Sequence, residues 1–217
     1  MKICERFAGE KGTKEQILDA AIDLFSQKGY DAVSIRDIAR AVGIRESSIY
    51  NHYKGKEDIL DSITSFFIAE LSKPYPDEVP MEVLLEKYGA EGFMIVGGRA
   101  FMERLKEPRI DKIWRLISIE LYRNKKIRDF FKTTMVAFTL QAWERTFRKM
   151  MDLGYIRECD ARLLAKEFTY YVLYLYFEYF FLNYEESGQT PFFEGIMDNL
   201  SGHIKFMFEA IKVEVPP

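Results

Sequence analysis

The sequence predicts an all-α protein with a small N-terminal head and a larger C-terminal helical body. Apolar residues recur at helical spacing in every substantial segment, no segment alternates as a strand would, and glycines and prolines separate the segments. A chain of 217 residues that is 48% hydrophobic and 30% charged can bury a globular core in one or two domains. We place the head at residues 1–56 and the body at residues 57–217.

The composition argues against several classes of protein. No uninterrupted apolar run reaches the roughly 18 residues of a membrane helix, and the first residues lack the apolar core of a signal peptide. Cys4 and Cys159 are too isolated to indicate a disulfide framework or a metal site. His52 and His203 are the only histidines, and no Gly-rich phosphate loop occurs, which argues against an enzyme. We expect a cytoplasmic protein without metal or cofactor.

Capping residues mark the first two helices of the head. Thr13 followed by Gln16 predicts a capping box at the start of the first helix, and Gly29 predicts its end. Ser34 followed by Asp37 predicts a shorter version of the same box at the start of the second helix. Apolar residues at helical spacing follow each cap, so both segments are predicted to be amphipathic helices.

A glycine turn before a short third helix completes a helix-turn-helix pattern. Gly43 supplies the turn, the third helix is predicted from about Arg45 to Tyr53, and a fourth helix begins near Lys56. Aromatic and basic residues cluster at 49–56, where a phosphate backbone would need donors and cations. The head carries a net charge of +2 and the remainder −5, a mild asymmetry of the sign that DNA binding requires.

The body is predicted to be helical throughout. Pro74, Pro76 and Pro80 end the fourth helix and form a linker. Further helices are predicted at about 81–105, 109–122, 125–153, 160–185 and 191–213, with Gly154 and the stretch 188–191 as breaks. Four glycines in the first of these helices, at 89, 92, 97 and 98, predict a break, a kink or a close helix contact.

The head resembles a known family in the order and spacing of about 45 residues. The matching runs are Ile17–Ala21 with Leu24–Phe25, Gly29–Tyr30, Val33–Ala39, Ala41–Ile44, Ser48–Tyr53 and Lys56–Leu60. These runs are similar to those of the tetracycline-repressor-like (TetR) family of transcriptional regulators. The resemblance implies a homodimer that binds a palindromic DNA operator, with the third helix in the major groove and the last two long helices in a four-helix bundle with the partner. It also implies that a small molecule bound in the body releases the DNA.

Residues at the start of the third helix are expected to read bases. They are Arg45, Glu46, Ser47 and Ser48. Arginine can bind guanine in bidentate fashion, and glutamate can accept a hydrogen bond from cytosine. Arg45 stands where the family more often has a Ser or Thr cap, so it binds either a base or a phosphate. A solvated surface pair is the alternative interpretation of Arg45 and Glu46.

Other head residues are expected at the DNA backbone. They are Ser34, Arg36, Tyr50, His52, Tyr53 and Lys56. Ser34 caps a helix whose N-terminus can face a phosphate, and Lys56 lies at another helix start. Arg36 is expected at a phosphate or in the minor groove. The family pattern implies a phosphate contact for Tyr50, whereas it places a largely core aromatic at Tyr53.

The body is expected to hold an effector pocket lined by methionine and aromatic side chains. The expected lining residues are Phe93, Met94, Phe101, Met102, Trp114, Ile117, Glu120, Trp143, Met150, Tyr174 and Glu178. We expect a small hydrophobic effector, and an acyl or an aromatic compound would both fit. If Glu120 or Glu178 is buried without a Lys or Arg partner, a cationic effector is favoured, and a local salt bridge is the alternative.

The last two helices are expected to form the dimer interface. Residues 168–184 contain ten aromatic side chains, so that helix should be buried on nearly all sides. The expected interface residues are Tyr171, Leu175, Leu182, Ile196, Leu200, Ile204, Met207 and Ile211.

The helix-turn-helix pattern and the family resemblance together predict a ligand-responsive transcriptional regulator that acts as a repressor. The alternative is a helical small-molecule-binding protein without specific DNA binding.

Overall fold

The computed structural model describes residues 12–73, 79–182 and 191–213, and over these ranges all regular structure is helical, which confirms the predicted all-α class. The helices are α1 Thr13–Lys28, α2 Ile35–Val42, α3 Glu46–Tyr50, α4 Lys56–Leu71, α5 Met81–Leu105, α6 Pro108–Glu120, α7 Lys125–Phe130, α8 Thr139–Asp152, α9 Ala161–Phe177 and α10 Pro191–Ile211. None of these described helices is long and apolar enough to cross a membrane. The predicted linker prolines Pro74 and Pro76, the break at Gly188 and the aromatic Tyr184 lie outside the described residues.

The chain divides into two compact units. The head unit contains α1–α4 together with α6, and the body unit contains α5 with α7–α10. The sequence assigned α6 to the body, whereas the structure packs α6 against α1 and α4. The division of function at residues 56 and 57 stays a prediction.

The cap of α1 differs from the predicted one. α1 begins at Thr13, and Gly12 occupies the cap position without a side chain to accept a hydrogen bond. The carbonyl of Gly12 accepts hydrogen bonds from the amides of Glu15 and Gln16, which closes the first turn. The predicted capping box of Thr13 and Gln16 is therefore wrong, because Thr13 already lies inside the helix. Gly29 ends the helix with φ +82°, as predicted.

The helix-turn-helix segment follows the sequence closely. The Ser34 hydroxyl accepts from the Asp37 amide at 3.2 Å, and the Asp37 carboxylate accepts from the Ser34 amide at 3.0 Å, which confirms the predicted capping box. Gly43 adopts the left-handed conformation, φ +77° and ψ 28°, and turns the chain into α3. α3 ends at Tyr50 rather than at Tyr53, and Arg45 takes the cap position without a capping side-chain bond.

α6 is held to α1 by ion pairs and to α4 by an apolar contact. Arg109 lies 2.7 Å from Asp19, and Lys112 lies 2.6 Å from Asp23, so two successive turns of α6 pair with two successive turns of α1. Phe67 of α4 is fully buried, and its ring meets that of Trp114 edge-on at 4.9 Å between centroids. Because its ion pairs and its apolar contact bind it to two helices of the head, α6 is an integral part of the head unit.

The body unit contains the break that the glycines predicted. α5 is interrupted at Gly89, where φ +68° and ψ 175° leave the helical region. Gly98 meets α10 closely, since a Cβ at this position would lie 3.0 Å from Cδ2 of Leu200. α8 and α9 pack through aromatic rings, with Trp143 and Phe168 at 4.6 Å between centroids.

Two π-helical segments interrupt helices that the sequence predicted as continuous. Phe131–Phe138 joins α7 to α8, and Glu178–Leu182 extends α9. A π-helix bonds i to i+5 and adds a residue to the turn. The apolar spacing that predicts a helix does not distinguish this bonding from that of an α-helix, which is why the sequence reading missed both segments.

Replacing Phe67 by alanine should destabilise the head unit. The change removes a fully buried ring and its edge-on contact with Trp114, so we expect a loss of about 3–5 kcal/mol in the free energy of unfolding. The matched control is Ile68→Ala, because Ile68 is the next residue of α4 and is exposed. Denaturant unfolding followed by circular dichroism measures both variants, and equal losses would contradict the packing described.

Asp37→Asn should reduce stability at neutral pH and should make stability less sensitive to acid. Hydrogen bonds from Ser34 hold the pKa of the Asp37 carboxyl below its ordinary value of 3.8. Because the folded pKa is lowered, the stabilisation is complete above the unfolded pKa and is lost as the pH falls through the folded value. The difference in Tm between wild type and variant should therefore be larger at about pH 7 than at about pH 3. The exposed Asp152→Asn variant is the control, and an unchanged difference would contradict the capping assignment.

Candidate nucleic-acid interface

α3 has one face fixed in the core and the other in solvent. Ile49 is fully buried, and Tyr53, just beyond the helix, is 3% exposed. Its hydroxyl donates a hydrogen bond of 3.1 Å to the carbonyl of Lys14 on α1. The side chains that the sequence predicted as base readers lie on the other side, with Arg45, Glu46 and Ser47 exposed. The core therefore anchors α3 and leaves its polar face open.

Tyr53 lies in the core, where the family pattern places a largely core aromatic. The sequence included this residue among the DNA contacts, yet its ring is in the core and its hydroxyl bonds α1. Burial raises the pKa of the Tyr53 hydroxyl, which is consistent with a desolvated phenol. Tyr53 supports the interface from behind, and we leave it out of the DNA-contacting set. Tyr50, by contrast, is 56% exposed.

An ion pair links α2 to the polar face of α3. Nε of Arg36 lies 3.9 Å from Oε1 of Glu46, and both side chains are at least half exposed. Glu46 thus forms a surface ion pair with Arg36. The alternative interpretation of the sequence had paired Glu46 with Arg45. Exposed ion pairs contribute little to stability, so either group can exchange its partner for a base or a phosphate.

The remaining predicted backbone contacts surround α3. Ser34 and His52 are exposed, whereas Ser48 and Lys56 are half-buried. Nζ of Lys56 donates a hydrogen bond of 2.8 Å to the carbonyl of Tyr30 and lies 4.2 Å from the centroid of the Tyr30 ring. The hydrogen bond uses one of the three donors of the ammonium group. The donors that the sequence predicted therefore lie on α3 and at the starts of the two helices on either side of it, α2 and α4.

The predicted effector residues fall into both units. Trp114, Ile117 and Glu120 belong to α6 and lie in the core of the head unit. The Glu120 carboxylate accepts a hydrogen bond of 2.8 Å from the amide of Tyr30, so its burial is explained by the head itself. These three residues are better assigned to the head core than to an effector pocket.

The other predicted effector residues lie in the body unit. Their burial ranges from complete to slight, and it divides them into three groups. Met94, Met102 and Met150 are buried, Phe93, Phe101, Trp143 and Glu178 are half-buried, and Tyr174 is exposed. The half-buried aromatic side chains are those that keep surface available for a ligand.

Most of the predicted dimer residues are buried within the single chain. They are Leu175, Ile196, Leu200, Ile204, Met207 and Ile211. The apolar stripe of α10 packs against α5 of the same chain, and Gly98 admits Leu200 there. Tyr171 is half-buried and stacks on His203 at 3.8 Å between centroids, whereas Leu182 is exposed. A partner molecule could not reach the buried set, so its assignment to the interface needs correction.

Other large apolar side chains of the last two helical segments are exposed. They are Leu163, Tyr170, Tyr174, Phe177 and Phe181 from the α9 segment and Phe206 and Val213 from the α10 segment. The α9 members follow one another at intervals of seven, four, three and four residues, which places them on one helical face. We call this set the outer stripe. The interface residues expected from the sequence on the α9 segment were instead Tyr171, Leu175 and Leu182.

The described residues offer no evident metal site. Among them, no group of three or more His, Cys, Asp or Glu side chains lies close enough to hold an ion. Cys159 is a free thiol, and Cys4 lies outside the described residues.

Comparison with known proteins matches the head strongly. Residues 17–63 match the model of bacterial regulatory proteins of the tetR family. The negative transcriptional regulator IcaR of the biofilm operon icaADBC from Staphylococcus epidermidis is 36% identical over 77 residues, which is 34% of this chain and 42% of IcaR. The transcriptional repressor KstR2 of Rhodococcus jostii is 38% identical over 72 residues, or 33% of this chain and 35% of KstR2. The matched part thus spans less than half the length of these relatives, which are regulators rather than enzymes.

The likeness in fold extends over nearly the whole chain. A complex of SmeT with triclosan superposes with a TM-score of 0.65 at 21% identity, covering 94% of each chain. SmeT is the repressor of the Stenotrophomonas maltophilia multidrug efflux pump SmeDEF. At this level of identity the likeness concerns the fold alone, but it includes the body, which the sequence match of the head does not cover. The head therefore matches the tetR family of regulatory proteins in sequence over residues 17–63, and nearly the whole chain resembles SmeT in fold.

Proposed function

We propose that the protein is a transcriptional repressor that binds a palindromic DNA operator as a homodimer and is released by a small hydrophobic effector. The observation that carries the proposal is the division of α3 into two faces. Ile49 anchors the helix, while Arg45, Glu46 and Ser47 extend into solvent. A helix held in this way can insert its polar face into the major groove without unfolding its support.

Base recognition is assigned to the start of α3. Arg45 has the length and the two parallel donors needed to bind O6 and N7 of guanine. When DNA binds, Arg36 can leave its ion pair with Glu46 and contact a phosphate or the minor groove. The Glu46 carboxylate is then able to accept a hydrogen bond from N4 of cytosine. Ser47 and Ser48 add short donors and acceptors on the following positions.

Backbone contacts are assigned to residues on both sides of α3. The hydroxyl of Tyr50, the ring of His52 and the ammonium of Lys56 are donors at or near the surface of the head. Ser34 caps α2, whose N-terminal amides can face a phosphate. Together these contacts fix the orientation of α3 but do not distinguish sequences, so the operator sequence depends on α3 itself.

The outer stripe is the proposed homodimer interface. An exposed face of large apolar side chains on a folded unit is costly unless another surface covers it. Two-fold pairing of the outer stripe would place α9 and α10 of one protomer against the same helices of its partner. Leu182 and Tyr171 are the two interface residues predicted from the sequence that remain accessible for this role. A two-fold dimer also accounts for a palindromic operator, since each head reads one half-site.

A hydrophobic effector is favoured over a cationic one. The carboxylate of Glu120 is engaged by the Tyr30 amide in the head, which removes one of the two acidic groups that suggested a cation. Phe93, Phe101 and Trp143 of the body unit are half-buried and suit an apolar or aromatic compound. The fold neighbour SmeT binds triclosan, an aromatic compound, which supports the same class. As a DNA-binding repressor the protein would act in the cytoplasm.

Selection of bound sequences from a random duplex library tests the proposal. The wild-type protein should enrich a palindromic motif, and its affinity should fall steeply with salt concentration because phosphate contacts release counterions. Salt-sensitive binding without an enriched motif would contradict the proposal and would favour a small-molecule-binding protein whose head no longer recognises specific DNA.

Arg45→Ala should weaken operator binding by about 1–3 kcal/mol and relax the preference at one base position in each half-site. The matched control is Arg148→Ala, because it removes one exposed arginine from α8 of the body unit. Titration of both variants against the selected operator and its single-base variants measures the effect. If Arg45→Ala keeps the full base preference, Arg45 contacts the backbone instead of a base.

Phe206→Glu should convert the dimer to a monomer. Phe206 is 77% exposed in the outer stripe, and a carboxylate there would face its own symmetry mate or an apolar neighbour. Tyr122→Glu is the control, since Tyr122 is 91% exposed in the same unit but outside the stripe. Sedimentation or light scattering gives the mass of each variant, and a Phe206→Glu protein that stays dimeric would exclude the outer stripe as the interface.

A further inference from the structure

Tyr30, in the turn between α1 and α2, is held by polar groups from two different helices. Its amide donates a hydrogen bond of 2.8 Å to Oε1 of Glu120, the last residue of α6. Its carbonyl accepts a hydrogen bond of 2.8 Å from Nζ of Lys56, the first residue of α4. The same ammonium lies over the Tyr30 ring, 4.2 Å from the centroid. Tyr30 therefore connects the end of α6 to the lysine that we assign to a DNA phosphate.

The site of the Glu120 carboxylate is formed by the surrounding backbone. Glu120 is 3% exposed, and a buried carboxylate is costly unless hydrogen bonds compensate for the lost water. Gly29 leaves the space that the carboxylate occupies, because a Cβ at this position would lie 3.1 Å from Oε1 of Glu120. With φ +82°, Gly29 also turns the Tyr30 amide toward the carboxylate. Sequence and backbone conformation thus combine to place this acceptor under Tyr30.

Attachment of α6 to α1 does not by itself require this hydrogen bond. Arg109 and Lys112 already pair with Asp19 and Asp23 along the seam, and α6 buries its apolar face there. An apolar side chain at position 120 would be buried equally well against a helix. The carboxylate of Glu120 instead fixes the position of Tyr30 through a hydrogen bond, and Tyr30 contacts Lys56.

We propose that Glu120 is a positioning residue for DNA binding, which acts through Tyr30 to hold the ammonium of Lys56 where it meets a phosphate. The inference rests on the proposed function and assigns one further residue to it. A lysine side chain loses much rotational freedom when it is fixed on a phosphate. Fixing it beforehand against Tyr30 reduces that loss, and two of its three donors stay available for the phosphate.

The test compares the salt dependence of operator binding in two variants of Glu120. Glu120→Met keeps the volume but removes the acceptor, so the slope of log K against log salt should decrease by about 0.9 for each protomer, or about 1.8 for the dimer. At a fixed salt concentration the affinity should fall about 3- to 10-fold. Glu120→Gln keeps an acceptor oxygen for the Tyr30 amide and should restore the wild-type slope. Asp23→Asn is the matched control, because it breaks an α1–α6 ion pair without touching Tyr30.

Further variants separate positioning from general stability. In a Lys56→Met background, Glu120→Met should cause no additional loss of slope, because the phosphate contact is already absent. Tyr30→Leu keeps the backbone groups but removes the ring beneath Lys56, so it should lower the slope even if Glu120→Met does not fold.

A wild-type slope in folded Glu120→Met, or in Tyr30→Leu, would overturn the positioning role. An equal slope loss in Asp23→Asn would also overturn it, because the effect would then reflect the seam as a whole. If the wild-type protein shows no selective DNA binding, the proposed function itself fails, and the inference fails with it.

Discussion

The hydrogen bond from the Tyr30 amide to the buried carboxylate of Glu120 fixes the turn between α1 and α2 to the end of α6, and the proposed placement of Lys56 depends on it. It joins the last turn of α6 to the turn between α1 and α2, and Tyr30 in turn receives the ammonium of Lys56 from α4. Two helices, α6 and α4, therefore contact a single residue of the turn that precedes α2. The ion pairs of Arg109 and Lys112 with α1 extend the same attachment along α6. The head unit therefore includes a helix that is separated from the end of α4 by 36 residues of the chain.

α3 and α10 each bury one face in the core and leave large side chains of another face exposed. α3 turns Ile49 into the core and its polar residues toward the proposed DNA. α10 uses its regular apolar stripe to pack against α5, so the proposed dimer contact falls to the outer stripe, where Phe206 is the most exposed member. On each helix, the residues that pack in the core thus differ from those proposed to contact DNA or a second protomer. Substitutions among the exposed residues should therefore have little effect on the fold.

Local features of the head could be predicted from the sequence, whereas contacts between distant residues could not. The capping box of Ser34 and Asp37 and the turn at Gly43 involve neighbouring residues, so residue type and spacing suffice to predict them. The contact between Glu120 and Tyr30 joins residues 90 positions apart, and the sequence assigned Glu120 to an effector pocket. For α10 the apolar periodicity correctly indicated a buried face, but periodicity does not specify whether the same chain or a partner covers it.

Hydrogen exchange at the Tyr30 amide tests the central contact most directly. Amides in turns usually exchange quickly, whereas a donor bonded to a buried carboxylate exchanges only when the local structure opens. The Tyr30 amide should therefore be protected to the same degree as the core amides of α1, and Glu120→Met should abolish that protection while those of α1 keep theirs. Exchange of the wild-type Tyr30 amide at the rate of an exposed loop would contradict the account, because Glu120 would then have no hold on Tyr30 or, through it, on Lys56.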